Sequence, residues 1–428
     1  MAVPSLEDIK SYNPWMDGEK FEVPSFKRDI YYEIKEVIRR KKYIVAITGI
    51  RCVGKSTLIK QIGNELEDDK FFFSFEEDRF ANYDSLKKVV ETFIEWGKNP
   101  IIFLDEIGRV KGWAGLLKKY HDLNKARFVI SGSSSLHITK GKESLAGRLM
   151  EYKLPPWQFD EYLKLTGIKI DTQKITLDEN IIEKAYLKWN KVGENKIIDF
   201  LKKGSFPELV DVEKDQEIKK YIKSTTIDKI VFEDIPAIFA VEEKDKLYDI
   251  MNYIGRESGS IVKPSHLGEA LGISKDTVKK YVFYLYHAYL IEILPIEGST
   301  IKSFRKPQKI YSSCSSISYA LSETYNESML VENSVCDKLI NTFREIGKKI
   351  YFYRDPQKHE IDFTGPIVVE CKWKRDITSD DLHNLLFYMN KKKIDKAIVV
   401  AKEFDIKEKS GKKIFILPLS FFLLSNFC

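Results

Sequence analysis

The chain has 428 residues, 43% hydrophobic and 31% charged, with 70 basic against 64 acidic side chains and a net charge of +6. At about 100–200 residues per domain, that length implies roughly two to four cores. A globular, cytoplasmic protein is expected: the mild basicity neither demands nor excludes nucleic acid, and Cys52, Cys314, Cys336, Cys371 and Cys428 show no CxxC spacing, which argues against a zinc site or a disulfide framework. The charged N-terminus carries no apolar signal segment, so no membrane partner is expected.

Residues 1–30, with Pro4, Pro14 and Pro24, read as an irregular arm and a candidate adenine contact, leading into a helix around Ile30–Arg40. Tyr43–Ile47 is a β-branched run that reads as a buried parallel strand, and Thr57–Leu66 reads as a helix. Between them, Gly49-Ile50-Arg51-Cys52-Val53-Gly54-Lys55-Ser56 carries the phosphate-loop pattern GxxxxGK[ST], the Walker A motif. A turn held by Gly49 and Gly54 aims backbone N–H groups and a helix N-terminus at one spot, where an anionic phosphate is favoured. Lys55 adds a point charge, Ser56 offers a hydroxyl to Mg²⁺, and Thr57 is a further nucleotide contact; ATP, ADP and Mg²⁺ are the expected ligands.

Lys70–Glu76 reads as a second buried strand and Asp84–Gly97 as an amphipathic helix. Next, Ile101-Ile102-Phe103-Leu104 ends in Asp105-Glu106, the Walker B arrangement. Asp105 is expected to hold the Mg²⁺ shell and Glu106 to orient the attacking water. A fourth strand, Arg127–Ser131, runs into Gly132-Ser133-Ser134-Ser135. Strand ends of open α/β sheets face the ligand crevice, so Ser131 and Ser133 are candidate γ-phosphate sensors; a serine-rich turn capping the next helix is the competing reading. Arg148, after Gly147, is a candidate for transition-state charge stabilisation in its own site or a neighbour's, with a plain surface arginine as the alternative.

From Trp157 to Phe239 helix formers dominate, with Ile181, Ala185, Leu187 and Trp189 at helical spacing, and a helical lid is the simplest assignment. Pro264–Tyr281 has the cadence of a helix-turn-helix, with Gly272-Ile273-Ser274 as its bend and Ser274 as cap. Ile291–Leu294, Gly298 and Lys302–Lys306 would form a wing, so a winged helix is expected. Lys275, Lys279 and Lys280 suit DNA phosphates, while the absence of Arg, Asn or Gln on that helix predicts little base reading.

Glu327–Phe343 reads as a helix, Lys349–Arg354 and Glu360–Phe363 as strands, and Gly365-Pro366 as a turn into an antiparallel Ile367–Trp373. Alternation places Glu370 and Lys372 on one face, near Asp362. Such a group suits Mg²⁺ held by Asp362 and Glu370, with Lys372 catalytic, although a half-exposed edge strand looks the same. Lys391–Lys413 holds nine lysines against four acids, either a guarded edge or a phosphate-facing rim. The apolar tail Ile414–Cys428, broken by Pro418, falls short of the ~20 residues of a bilayer span and reads as a last strand and a short helix.

The runs GIRCVGKSTL, IIFLDEI followed by Trp113, FVISGSSS, ESLAGR and Leu154–Tyr162 together resemble the prokaryotic AAA-type "archaeal ATPase" family, over nearly the whole chain. Gly204-Ser205-Phe206-Pro207-Glu208 is similar to a turn in that family's middle region. Cys52 departs from the usual second basic residue of the loop, and Ser312-Ser313-Cys314 from an expected aspartate. The spacing Asp-x7-Glu-x-Lys resembles the PD-(D/E)xK nuclease core, and that resemblance implies Glu332 as a further acid at the metal.

The expected fold is therefore α/β and multidomain: a P-loop AAA-type parallel sheet with N-terminal arm (1–156), a helical lid (157–243), a winged helix (244–306) and a restriction-endonuclease-like domain (307–428). The expected function is a Mg²⁺-dependent ATPase that couples nucleotide state to DNA-facing modules, with DNA cleavage or remodelling as its output. The alternatives are a non-nucleolytic switch whose C-terminal domain is a binding platform, and a nuclease governed by nucleotide occupancy alone. Self-association stays open.

Overall fold

A computed structural model describes residues 2–40, 42–133, 145–170, 172–189, 192–299 and 306–427. The chain packs into two compact units, one from residues 1–155, 229–242 and 287–289, the other from 156–228, 243–286 and 290–428.

The first unit is built on five strands, β1 (Ile44–Thr48), β2 (Lys70–Ser74), β3 (Ile101–Asp105), β4 (Arg127–Gly132) and β5 (Leu149–Lys153), in the order β2-β3-β4-β1-β5 with every neighbour parallel. β1 and β3 are buried along their whole length, as strands covered on both faces must be. Helices Tyr83–Trp96 and Trp113–Asp122 bring Leu86, Val90, Phe93 and Leu117 to a core that also holds Phe71, Phe73 and Phe128. The arm closes the β2 edge: buried Asn13 donates Nδ2 to Phe72 O at 3.0 Å and accepts from Phe72 N at 2.6 Å. β5 was not expected as a strand. Its Leu-Met-Glu-Tyr-Lys sequence has neither apolar continuity nor clean alternation, and it pairs only with β1.

The expected lid divides. Residues 157–228 pack inside the second unit, whereas 229–242 join the nucleotide unit. No local property of the sequence marks that break, because both stretches are helical and amphipathic.

In the second unit, β6 (Gln173–Ile175) precedes helix Lys244–Arg256, which is followed by β7 (Ser260–Ile261), helices Pro264–Leu271 and Lys275–His287, β8 (Ile291–Pro295) and β9 (Gln308–Ser312); an antiparallel sheet runs β7-β9-β8. The two helices turn tightly enough that a Cβ on Gly268 would stand 2.7 Å from Ile273 O. Ser274 Oγ accepts from Thr277 N at 3.0 Å, the expected cap. Residues 302–305 of the expected wing, Ser134 and Ser135, Glu143 and Ser144, and Cys428 lie outside the described residues.

A second sheet contains β10 (Tyr351–Arg354), β11 (Glu360–Thr364), β12 (Val369–Cys371), β13 (Lys396–Ala401), β14 (Asp405–Lys409) and β15 (Lys412–Pro418), in the order β10-β11-β12-β13-β15-β14. β11 and β12 are antiparallel, and the central β12, β13 and β15 are parallel. The tail is a strand and a short helix, Leu419–Leu424, then a last strand Ser425–Phe427 on Gln173–Ile175.

Candidate nucleotide site and a second charged cluster

β1 delivers the phosphate loop. Gly49, at φ +153°, has no room for a side chain, since a Cβ would meet Leu154 O at 2.3 Å. Cys52 and Gly54 are left-handed, at φ +64° and +90°, and bend the loop ahead of helix Lys55–Asn64. Lys55 is buried and donates Nζ to Gly49 O at 2.9 Å and Ile50 O at 3.0 Å. Ser56 and half-buried Thr57 follow in the first helical turn.

Strand order makes the rest of the site. β4 separates β1 from β3, so the ends of all three meet in one place. Ser56 Oγ donates to Asp105 Oδ2 at 2.7 Å. The other carboxylate oxygen, Oδ1, accepts from buried Ser131, whose Oγ accepts in turn from Glu106 N at 3.2 Å. Glu106 is itself left-handed, at φ +50°, an uncommon backbone for a non-glycine residue and one found at functional sites. Its Oε2 accepts from Ser133 N at 3.2 Å, and its Oε1 lies 4.0 Å from Lys55 Nζ. Burial pushes the Glu106 carboxyl above its usual range, partly offset by the Lys55 and Arg51 charges.

Two residues missed in the sequence complete this ring. Arg51 donates Nε to Asp234 Oδ2 at 2.7 Å and Nη2 to Oδ1 at 3.1 Å. Ser133 Oγ donates to the same Oδ2 at 3.1 Å. Burial alone would lower the Arg51 pKa, but the Asp234 carboxylate holds the guanidinium charged above its ordinary range. Arg51 stands at a position that the pattern GxxxxGK[ST] leaves unspecified, and Asp234 follows 183 residues later with no local pattern to mark it.

Arg148 lies elsewhere. Its carbonyl accepts from Ile44 N at the start of β1, whereas the phosphate loop leaves the other end, about 3.3 Å per residue away along five residues. Its Nε pairs with Asp122 Oδ1 at 2.5 Å. This position lends no support to a role in its own molecule's site; no local pattern marks β5 as entering the sheet parallel to β1.

Asp105, with both oxygens on hydroxyls and Ser56 beside it, fits the hydroxyl-plus-carboxylate donor set of a Mg²⁺ bound with a nucleotide.

The second unit gathers the other predicted residues. Asp362 N donates to Glu370 Oε2 at 3.2 Å, Cys371 N to Asp362 Oδ2 at 3.0 Å, and Lys372 Nζ to Glu370 Oε1 at 2.7 Å. Glu332 joins them, but around a lysine. Buried Lys309 Nζ lies 2.9 Å from Glu360 Oε1, 3.0 Å from Asp362 Oδ1 and 3.4 Å from Glu332 Oε1. Tyr311 OH donates to Glu332 Oε1 at 2.8 Å. This ammonium occupies the point between Glu332, Glu360 and Asp362 where a cation would sit, and Lys372 takes Glu370. Among the described residues no group of three or more His, Cys, Asp or Glu is arranged to hold one. This arrangement lends no support to the metal role expected of Asp362, Glu370 and Glu332; a lysine inside the buried strand Gln308–Ser312 was the one available sign. Burial and the Asp362 charge push Glu370 up to about 8 and Glu332 up to about 7. The cluster opens on a cleft of about 730 Å³ that Arg256 and Arg354 also line.

Residues 41–163 match the AAA domain family, 194–328 a domain of unknown function (DUF8612), and 327–422 another domain of unknown function (DUF4143). The uncharacterized protein MJ1637 of Methanocaldococcus jannaschii is 28% identical over 321 residues, 71% of this chain and 66% of that protein. MJ1544 of the same organism is 27% identical over 350 residues, covering 78% and 74%, and an uncharacterized Haemophilus influenzae protein is 26% identical over 265 residues, covering 58% and 61%. The chain thus spans about two thirds of the length of these relatives. The Holliday junction branch migration motor RuvB of Thermotoga maritima is similar at 17% identity and TM-score 0.30, over 61% of this chain and 88% of that one. A likeness at that score specifies neither function nor partner. The chain carries an AAA-type P-loop domain, a class that binds nucleotide, and none of the helices among its described residues is long and apolar enough to cross a membrane.

Proposed function

We propose that this protein is a Mg²⁺-dependent ATPase acting as a nucleotide switch. The observation that carries the reading is the continuous line Ser56–Asp105–Ser131–Glu106–Lys55, which puts a hydroxyl-carboxylate pair, an acid and a buried ammonium around one point. Ser56 and Asp105 would hold Mg²⁺ there, and the ion would supply charge neutralisation to the phosphates. Lys55 exchanges its two loop carbonyls for phosphate oxygens, and Ser131 fixes Asp105 against rotation. Glu106, with a raised proton affinity, orients the attacking water and accepts its proton as that oxygen bonds to the γ-phosphorus and the bond to the ADP oxygen breaks. Ser133 holds Glu106 through its backbone N–H. Arg148, half-buried at the opposite end of the sheet, serves only in a neighbouring molecule's site, if copies associate.

The order helix, short strand, two helices in a tight turn and hairpin supports a winged helix, with Lys275, Lys279 and Lys280 facing DNA phosphates. Lys309 favours the non-nucleolytic reading of the C-terminal sheet: it is a docking platform whose acids are already ion-paired.

Phosphate release by wild type and Glu106→Gln, with and without duplex DNA, tests the proposal. The expected result is a loss of turnover of about 100-fold or more in the variant with ADP affinity retained. Equal turnover in both would sink the assignment. Mn²⁺-dependent DNA cleavage that disappears in Lys372→Ala would overturn the docking reading.

A further inference from the structure

Arg51 is a long cation within the phosphate loop itself, and its side chain is only half committed. Of the five guanidinium donors, Asp234 takes one on Nε and one on Nη2. The Nη1 end makes just a long approach to Glu76 Oε1, at 3.9 Å. The three remaining N–H groups make no hydrogen bond among the described residues, and the two bonds to Asp234 fix the plane of the fork. Their setting is the hydrolytic centre: Asp234 shares Ser133 with Glu106, Ser133 giving its Oγ to one and its N–H to the other. Arg51 and Glu106 also act on each other electrostatically across this gap. The bidentate pair itself is mostly buried, with Asp234 at 8% exposure, where removing either partner leaves the other charge uncompensated.

Asp234 is also unusual in its backbone. It ends the π-helical turn Ile230–Asp234, in the short segment 229–242 that joins the nucleotide unit while the chain on both sides belongs to the other. π-Turns are rare and are frequent at functional sites.

We propose that Arg51 contacts the terminal phosphate of ATP from this molecule's own phosphate loop, and that Asp234 is its positioning residue. This rests on the ATPase reading above and adds to it. As the bond to ADP lengthens, negative charge gathers on the γ-phosphate oxygens and the bridging oxygen, and a guanidinium fixed beside them stabilises that charge without reorganising. The pair with Asp234 limits the guanidinium to one plane, so its free N–H groups are aimed before the nucleotide arrives. Lysine is not an equivalent here, since an ammonium has no rigid fork to divide between a carboxylate and a phosphate.

The test uses the full chain and four variants, Arg51→Ala, Arg51→Lys, Asp234→Asn and Lys55→Ala, each checked for a wild-type melting profile. Turnover, KM for ATP, and affinities for ADP alone and for ADP with aluminium fluoride are measured. Arg51→Ala is expected to keep ADP affinity within about threefold, lose about 100-fold or more in kcat, and lose the tightening that aluminium fluoride gives wild type. Arg51→Lys should recover little of this. Asp234→Asn should lower kcat about tenfold at nearly unchanged KM, the pattern of a misaimed group rather than a lost binding contact. Wild-type turnover in Arg51→Ala overturns the proposal, as does an equal loss of ADP and ADP–aluminium fluoride affinity, which would make Arg51 a structural prop of the loop. Should Arg51→Ala not fold, the same readings on Arg51→Lys and Asp234→Asn decide it. Turnover in Lys55→Ala equal to wild type would instead overturn the ATPase reading, and the Arg51 assignment with it.

Discussion

Four carboxylates, Glu332, Glu360, Asp362 and Glu370, and three cations, Lys309, Lys372 and Arg354, form one linked cluster. Fully ionised, that set carries one net negative charge, and a retained proton removes it. Glu370 holds that proton most firmly, burial and Asp362 raising it to about 8 from 4.5. The sign for stability follows. Between those two values the folded form binds more protons than the unfolded chain, so stability falls as pH rises through the window. Glu332 adds a smaller fall in the same direction. Glu370→Gln keeps an acceptor for Lys372 but removes the titration. Thermal melting between about pH 5 and pH 8.5 should show wild type losing stability with rising pH relative to the variant; parallel curves would mean Glu370 is ionised throughout. Asp362, Glu370 and Lys372 were legible from alternation across a tight turn, and Glu332 from the resemblance to the nuclease core. Lys309 was not, because what matters is the meeting of β9 with β11 and with the helix Glu327–Glu345, and no local spacing encodes that.

Elements that close on themselves within a short stretch were the easiest to read. The phosphate loop is a strand, a turn and a helix in one run, and β3 announces its end with two acids after an apolar series. The hairpin β11–β12 and the turn between helices Pro264–Leu271 and Lys275–His287 are equally local. β5 was missed because an edge strand buried on neither face needs no apolar pattern. Glycine tests the local reading of the helix pair. In Gly268→Ala a Cβ would meet the Ile273 carbonyl at 2.7 Å, a backbone atom that moves only with the turn. A loss of about 1–3 kcal/mol is expected. Gly115, in helix Trp113–Asp122, has nothing within 4 Å of its Cβ position, so Gly115→Ala should stabilise by about 0.4–1 kcal/mol. Opposite shifts in urea denaturation would bear out the packing; a neutral Gly268→Ala would mean the turn is looser than described.

At the scale of the whole molecule, the nucleotide unit is not one stretch of chain. Residues 1–155 supply the sheet and both Walker motifs, but 229–242 and 287–289 return to it from far along the sequence. Tyr289, left-handed at φ +61°, donates its hydroxyl to Thr48 Oγ1 at 2.9 Å, at the end of the strand that feeds the phosphate loop. Asp234 reaches the loop itself. Motif reading located the chemistry but divided the chain in sequence order, because a return of a few residues leaves no change of composition to detect. These returns give the nucleotide a covalent route outward: whatever fixes or frees Asp234 acts on a segment bounded at 228 and 243 by chain of the other unit. Glu106→Gln, in which hydrolysis is expected to be slow, allows ATP and ADP states to be held separately. Hydrogen exchange should then show the amides of 229–242 more protected with ATP than with ADP, as the terminal phosphate immobilises Arg51 and through it Asp234. Arg51→Ala placed in the same background should erase the difference while leaving the protection of β1 and β3 intact. Identical exchange in the ATP and ADP states would mean that the segment is a fixed wall of the site, and that any switching leaves by another path.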